Sequence, residues 1–214
     1  DSTHIIVGVV VKGKQETMPR QIFSQKQIAA LPSNSVADAL KYLAGVQIKD
    51  YGGLGGQKTV NVRSLGSQHV GVYLDGVRIT NVQNGTVDLG KFSLSTLESV
   101  SLFNANKTEM LMTATEYASA STVYLKTRRP DTTDVVVSYQ NGSFGTNKAA
   151  ATLSYKNWGF IDAAYTHTKG NYPFSYHTQY EDTVGTRRNS DITMFRIESC
   201  AFWKGLQWHT YYFN

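Results

Sequence analysis

From Asp134 onward the chain alternates. Val135, Val137 and Tyr139 fall on one side of an extended backbone, with Ser138 and Gln140 on the other. Ala149, Ala151, Leu153 and Tyr155 do the same, and so do Ile161, Ala163, Tyr165 and His167. Ile192 to Trp203 repeats it, with Phe195, Ile197, Ala201 and Trp203 opposite Arg196, Glu198 and Cys200, and Leu206 to Phe213 forms a last run. A period of two fits a β-strand and no helix. Asn141-Gly142, Asn157 to Gly159 and Lys204-Gly205 read as turns, and roughly Lys169 to Ser190 as one long polar loop. Short turns at one end and a longer loop at the other predict an up-and-down meander. Runs of about ten residues suit strands that cross a bilayer, but a soluble β-domain alternates in the same way.

Composition narrows the class without deciding it. The 214 residues include 13 Tyr, 9 Phe and 3 Trp, most of them after position 135, and 18 Gly against 4 Pro. Tyr139, Tyr155, Trp158, Trp203 and Trp208 fall near strand ends, where an interfacial aromatic girdle would place them. Net charge is +5, but no basic run or nucleic-acid motif accompanies it, so no nucleic-acid partner is expected. The single cysteine, Cys200, excludes a disulfide framework and a cysteine zinc site, and the histidines show no i, i+4 pair. The longest apolar run, Ile5 to Val11, is too short for a membrane helix, which leaves a transmembrane barrel open. The chain starts at Asp1 with no signal-peptide pattern, as a processed chain would. No nucleophile–base or paired-carboxylate constellation points to an enzyme.

The first 130 residues are patterned differently. Ser24 and Gln27 fit a capping box for a helix over Gln25 to Ala30, which must stop before Pro32. A second helix is capped by Ser33, Asn34 or Ser35, buries Val36, Leu40 and Leu43, and stops at Gly45. Val60 to Ile79 reads as one small antiparallel sheet. In it Val70, Val72 and Leu74 alternate, Asp75-Gly76 forms a type I′ turn, and Val77 and Ile79 resume the alternation. Arg63 and Arg78 stand at its ends. Tyr51 to Thr59 is glycine-rich, but it leads into a strand and lacks the Gly-Lys step of a phosphate cradle, so it reads as a flexible loop. Asn81 to Gly85 is a second polar loop. A strand is expected near Ser99 to Phe103 and another over Val123 to Lys126, with a boundary at Arg128 to Asp131.

Taken in order, these segments resemble a TonB-dependent outer-membrane receptor. VGVVVKG resembles the energy-coupling box, SVADALKYLAGVQI the family's helix and "PGV" strand, and VNVRSLGSQHVGVYLDGVRI its "IRG…VLVLIDGVPL" core. Asp88 to Phe92 and Leu97 to Val100 resemble the "L…P…IERIEV" segment. Ala44 stands where the family has proline and Ser64 where it has glycine, and the stretch after Phe103 has lost the family's glycines. The resemblance implies a mainly β fold with a small α+β plug inside a transmembrane antiparallel β-barrel. Residues 1–20 would be a tether, 21–130 the plug and 131–214 an incomplete barrel. Family barrels of 22 strands far exceed the five or so expected here. The chain is therefore expected to be a fragment or one piece of a larger assembly, with the remaining barrel possible on another chain.

The functional expectations follow from that resemblance. Ile6, Val7, Gly8, Val9, Val10 and Val11 would be the strand captured by a TonB-like periplasmic energy-coupling protein. The apical loops, Tyr51, Gly52, Gly53, Leu54, Gly55, Gly56 and Gln57 with Asn81, Gln83, Asn84 and Thr86, would touch the ligand. Arg63, Asp75 and Arg78 would hold the plug by ion pairs to the barrel. Short-plug features and the GNYPFSY…RRNSD loop are most similar to cobalamin receptors, so a corrinoid is the expected cargo. No resident cofactor is expected. Glu181, Asp182 and Asp191 are calcium candidates, outer-membrane lipid surrounds the barrel, and a surface lipoprotein partner is possible. Siderophore, haem or oligosaccharide uptake is the alternative within the family. A soluble carbohydrate-binding or adhesion module is the alternative outside it.

Overall fold

A computed structural model describes residues 20–31, 35–53, 55–81, 85–104, 113–177 and 182–214. Two β-layers make up these residues. The first is a mixed five-stranded sheet with strands β1 (Arg20–Ser24), β4 (Val70–Leu74), β5 (Val77–Ile79), β6 (Leu97–Phe103) and β7 (Ser121–Thr127), in the order β1-β6-β7-β4-β5. Only β4 and β7 run parallel, and the other pairs are antiparallel. Beside this sheet lie α1 (Gln25–Ala30), α2 (Val36–Leu40) and a ribbon of β2 (Val46–Tyr51) with β3 (Gln57–Val62). A short helix, α3 (Ala114–Tyr117), precedes β7.

Local chemistry accounts for the helices. The Ser24 backbone N–H donates to Gln27 Oε1 at 2.9 Å, the reach-back half of a capping box. Ser35 Oγ accepts from the Asp38 N–H at 3.3 Å, and Asp38 sits in the first turn of α2, at the positive end of the helix dipole. Gly45 adopts φ +77 and ends this segment. Helices this short are not stable alone; burial holds them. Val36, Ala39 and Leu40 of α2 join Val60, Val62, Val72, Val100, Leu102, Val123 and Leu125 in one core. Each fully buried Val or Leu contributes roughly 1.5–3 kcal/mol.

The expected single sheet over Val60 to Ile79 is instead divided. Val60 and Val62 pair with Ile48 and Val46 in the β2–β3 ribbon. After them Arg63 and Ser64 take left-handed φ values of 50° and 60°, and Ser67–His69 forms a 3₁₀ turn. That turn redirects the chain into the larger sheet, where Val70–Leu74 finds β7 as a parallel neighbour. The Asp75-Gly76 hairpin itself forms as expected, with φ +50 and +85.

The second layer is antiparallel throughout, in the order β14-β13-β10-β9-β8. Its strands are β8 (Asp134–Gly142), β9 (Thr146–Tyr155), β10 (Gly159–Thr168), β13 (Ile192–Trp203) and β14 (Leu206–Phe213). The first turn lies at Ser143 to Gly145, not at Asn141-Gly142, because Phe144 and Gly145 supply the positive φ while Asn141 stays paired with Asn147. The expected polar loop 169–190 contains a hairpin of its own, β11 (Pro173–His177) with β12 (Asp182–Thr186). Its strands are five residues each, too short for the alternation to stand out.

Pairing register sorts this wall into two chemistries. Its outer face carries Val135, Val137, Leu153, Tyr155, Ile161, Tyr165, Phe195, Ile197, Trp203, Leu206, Trp208 and Tyr212, all exposed. Its inner face carries Lys148, Asp162, Arg196, Glu198 and His209, turned toward the first layer. No Asp, Glu, Lys or Arg stands at an outward position of these five strands. Apolar outside and polar inside is the arrangement of a strand wall in lipid. β8 and β14 each lack an outer neighbour among the described residues, and in lipid such edges require a partner strand.

Candidate functional site

The glycine loop sits at the end of the wall where the β8–β9 turn and the β11–β12 hairpin project. Asp50 Oδ1 accepts from the Gly53 N–H at 2.7 Å, and Gly52, Gly53 and Gly55 have φ of +128, +76 and +78. A Cβ on Gly56 would lie 2.6 Å from the Tyr51 carbonyl, and one on Gly55 would lie 2.8 Å from Ile192 Cδ1. The loop is thus tightly wound, with Gly55 packed against the wall, and not the slack loop that its composition suggests. Gln57 Nε2 donates to Thr86 Oγ1 at 3.2 Å, so the two loops singled out in the sequence meet.

Above the loop is a cavity of about 200 Å³ lined by Gly52, Gly53, Phe144, Tyr172, Arg187 and others. The Phe144 and Tyr172 rings meet edge to face with centroids 5.9 Å apart, and Arg187 donates to the Tyr172 hydroxyl at 3.1 Å. Exposed aromatics, a guanidinium and backbone amides together suit a large polar ligand with flat apolar faces. Tyr51 is exposed nearby, Asn81 is exposed and Thr86 is half-buried. Leu54, Gln83, Asn84, Glu181 and the whole 6–11 segment lie outside the described residues. Asp182 opens β12 and Asp191 is exposed just before β13. Among the described residues no cluster of three or more His, Cys, Asp or Glu is placed to hold a metal.

A second set of residues joins the two layers. Asp75, the hairpin turn residue, accepts from the Thr127 N–H at 2.8 Å and from the Thr127 hydroxyl. From the wall, Gln207 Nε2 donates to it at 2.7 Å and His209 Nδ1 stands 3.7 Å away. Burial pushes the Asp75 carboxyl up, but its contacts with His209, Thr127 and Gln207 outweigh this and hold it below the usual carboxylate range. The same imidazole lies 3.0 Å from Glu198, which also accepts from Thr96 at 3.1 Å. Asp162 pairs with Arg196, takes a 2.7 Å bond from Thr152, and is 3.5 Å from Ser95 Oγ. Tyr211 donates to the Lys91 carbonyl at 2.8 Å and stacks on Phe92.

Asp75 therefore reaches the wall. Arg63 and Arg78 do not: both are exposed, and neither forms an ion pair among the described residues. The wall side of the contact, namely Gln207, His209, Glu198 and Asp162, was not singled out from sequence. The usable signal was there, in charged residues at alternate positions of strands whose other face carries no Asp, Glu, Lys or Arg.

A small layered unit leaning on the charged inner face of a lipid-type β-wall is the make-up of a plugged outer-membrane receptor. Residues 12–111 match the family model described as TonB-dependent Receptor Plug Domain. The match covers just under half of the chain, and together with the fold it marks a plug domain like that of TonB-dependent receptors, which are proteins of the Gram-negative outer membrane. The chain is 31% identical over 94 residues to the vitamin B12 transporter BtuB of Photobacterium profundum, a match covering 44% of this chain and 15% of that protein. Among solved structures it is similar to the FrpB iron transporter of Neisseria meningitidis (F3-3 variant), with a TM-score of 0.62 and 12% identity over 85% of this chain and 29% of that one. It is also similar to the copper transporter OprC, with a TM-score of 0.55 and 16% identity over 89% of this chain and 28% of that one. The chain thus spans only a minor part of the length of these relatives.

Proposed function

We propose that this chain supplies the plug and part of the barrel of a receptor for TonB-dependent uptake of a scarce nutrient, with a corrinoid as cargo. The observation that carries this reading is the tightly wound glycine loop beneath a cavity edged by Phe144, Tyr172 and Arg187. It offers backbone amides and aromatic faces to a ligand arriving from the outer end. The likeness to a vitamin B12 transporter over 94 residues favours a corrinoid over the iron and copper named for the structural neighbours. In this reading ligand binding above the plug shifts the tether, and a periplasmic coupling protein captures residues 6–11 as an added strand and pulls. Contacts at Asp75, Asp162 and Glu198 hold the plug to the wall until then.

The test is uptake of labelled cyanocobalamin by cells whose only corrinoid receptor carries this chain. Uptake that requires the coupling protein is expected. Deleting residues 6–11 should abolish uptake and leave surface binding of cyanocobalamin unchanged. Accumulation of a ferric siderophore without any corrinoid binding would replace the cargo and keep the transport reading. Full uptake by the deletion variant would overturn the tether role.

A further inference from the structure

Between the first layer and the inner face of the wall lies another cavity, of about 320 Å³. Asp38, Lys58 and Asp88 line it from the plug, and Lys148, Asp162 and Arg196 from the wall. Its carboxylates are already engaged. Asp38 Oδ1 takes both Lys41 Nζ at 2.9 Å and Lys58 Nζ at 3.2 Å. Asp88 Oδ1 accepts from the N–H groups of Lys58 and Gly90 at 2.9 and 3.0 Å. Asp162 is taken by Arg196 and Thr152.

Lys148 is the exception. It is half-buried and lies within electrostatic range of Asp38 and Lys58. Among the described residues, no hydrogen bond or salt bridge reaches its ammonium group. Arg196 contributes a second unmet donor, a buried Nε without an acceptor. Two lysines thus bond one carboxylate while a third lies within its electrostatic range, and Lys148 and Arg196 hold donors without an acceptor among the described residues. A partly desolvated cation in this position gains most from an anionic ligand that brings several acceptor oxygens.

We propose that this cavity is a binding subsite for a small carboxylate- or phosphate-bearing group, held by Lys148 from the wall and Lys58 from the plug. Gly53 lines both this cavity and the upper one, so a group entering from the outer end passes the glycine loop to reach Lys148. The space admits a phosphate or a citrate and is far too small for a whole corrinoid. Its occupant is therefore a free small anion or one anionic arm of a larger cargo. The subsite does not depend on which nutrient the receptor carries.

The receptor containing this chain, purified in detergent, is titrated calorimetrically with inorganic phosphate and with citrate at low salt. Saturable binding of at least one is expected, weakened about tenfold or more by Lys148→Gln and by Lys58→Gln. Lys148→Arg should retain it, and Lys204→Gln on an exposed turn should leave it unchanged. Heat-modifiable gel mobility checks that each variant keeps its barrel. Absence of saturable binding, or binding by both Gln variants as tight as that of the unsubstituted receptor, overturns the subsite. In a second arm the receptor is first loaded with cyanocobalamin. Blocked citrate binding assigns the site to an arm of the cargo, and unaffected citrate binding assigns it to a free anion. This second arm rests on the corrinoid reading and is run only where cyanocobalamin binds; the phosphate and citrate titrations of the first arm test the subsite whichever nutrient is carried.

Discussion

Asp75 shows how much one residue can be asked to do. It supplies a positive φ for the hairpin, fixes the end of β7 through Thr127, and meets Gln207 and His209 on the wall. Asp75→Asn keeps the turn, since Asn also favours positive φ, and removes the charge. We expect a loss of about 1–3 kcal/mol in the stability of the β7 end, read as faster hydrogen exchange of the Thr127 amide. The pH dependence has a definite sign. The folded carboxyl titrates below its unfolded value, so its contribution is complete above about pH 4. It is lost as pH falls through the depressed value, and the difference between wild type and variant should close over that acid range. Two departures from the family pattern also find local explanations. Ala44, standing in place of proline, donates its N–H to Gln21 Oε1 at 2.7 Å, a bond proline cannot make. Ser64, standing in place of glycine, occupies φ +60, a conformation that costs a non-glycine residue of order 1 kcal/mol.

At the scale of elements, short-range chemistry was legible wherever it was self-contained. The capping pair Ser24–Gln27, the Asp75-Gly76 and Lys204-Gly205 turns, and the strand Ile192–Trp203 all follow from residues within a few positions of one another, while the choice of Ser35 among three candidate caps for α2 does not. The pairing of Val60 to Ile79 did not, because Val62 and Val70 each choose a partner distant in sequence, and only the turn at Arg63-Ser64 separates their fates. β6 lies between β1 and β7 and packs Val100 and Leu102 into the core at 0% exposure. Leu102→Ala should therefore cost about 2–5 kcal/mol, measured as a lower denaturant midpoint for the plug with the barrel's heat-modifiable mobility unchanged. A shift well under 1 kcal/mol would mean that the core repacks around the gap.

For the whole molecule, the decisive feature is the inversion of polarity across the wall. Ile161 faces outward at 53% exposure, while its neighbour Asp162 is 1% exposed and meets Arg196. Ile161→Lys places a charge on the lipid face and should destabilise the inserted wall by up to about 2–4 kcal/mol at mid-bilayer depth, seen as reduced recovery from the outer membrane. The same substitution at Thr166, on the inner face beside Lys148, should leave membrane recovery unaltered. Equal losses at both positions would contradict the assignment of faces.

The sequence by itself determined the long strands of the wall and their two faces, the turns at Asp75-Gly76 and Lys204-Gly205, and the family pattern of the plug, because each is written in residues close together along the chain. It marked the glycine loop and Asn81 to Thr86 as candidate ligand contacts only by resemblance. The tertiary structure alone decided that Gln57 bonds Thr86, that Asp75 rather than Arg63 or Arg78 reaches the wall, and that Lys148 is left without a counter-ion among the described residues. Those facts depend on which side chains meet across more than a hundred positions of sequence, as Asp75 and Gln207 do. Alternation fixes the face on which a side chain emerges, but only packing fixes what stands opposite it.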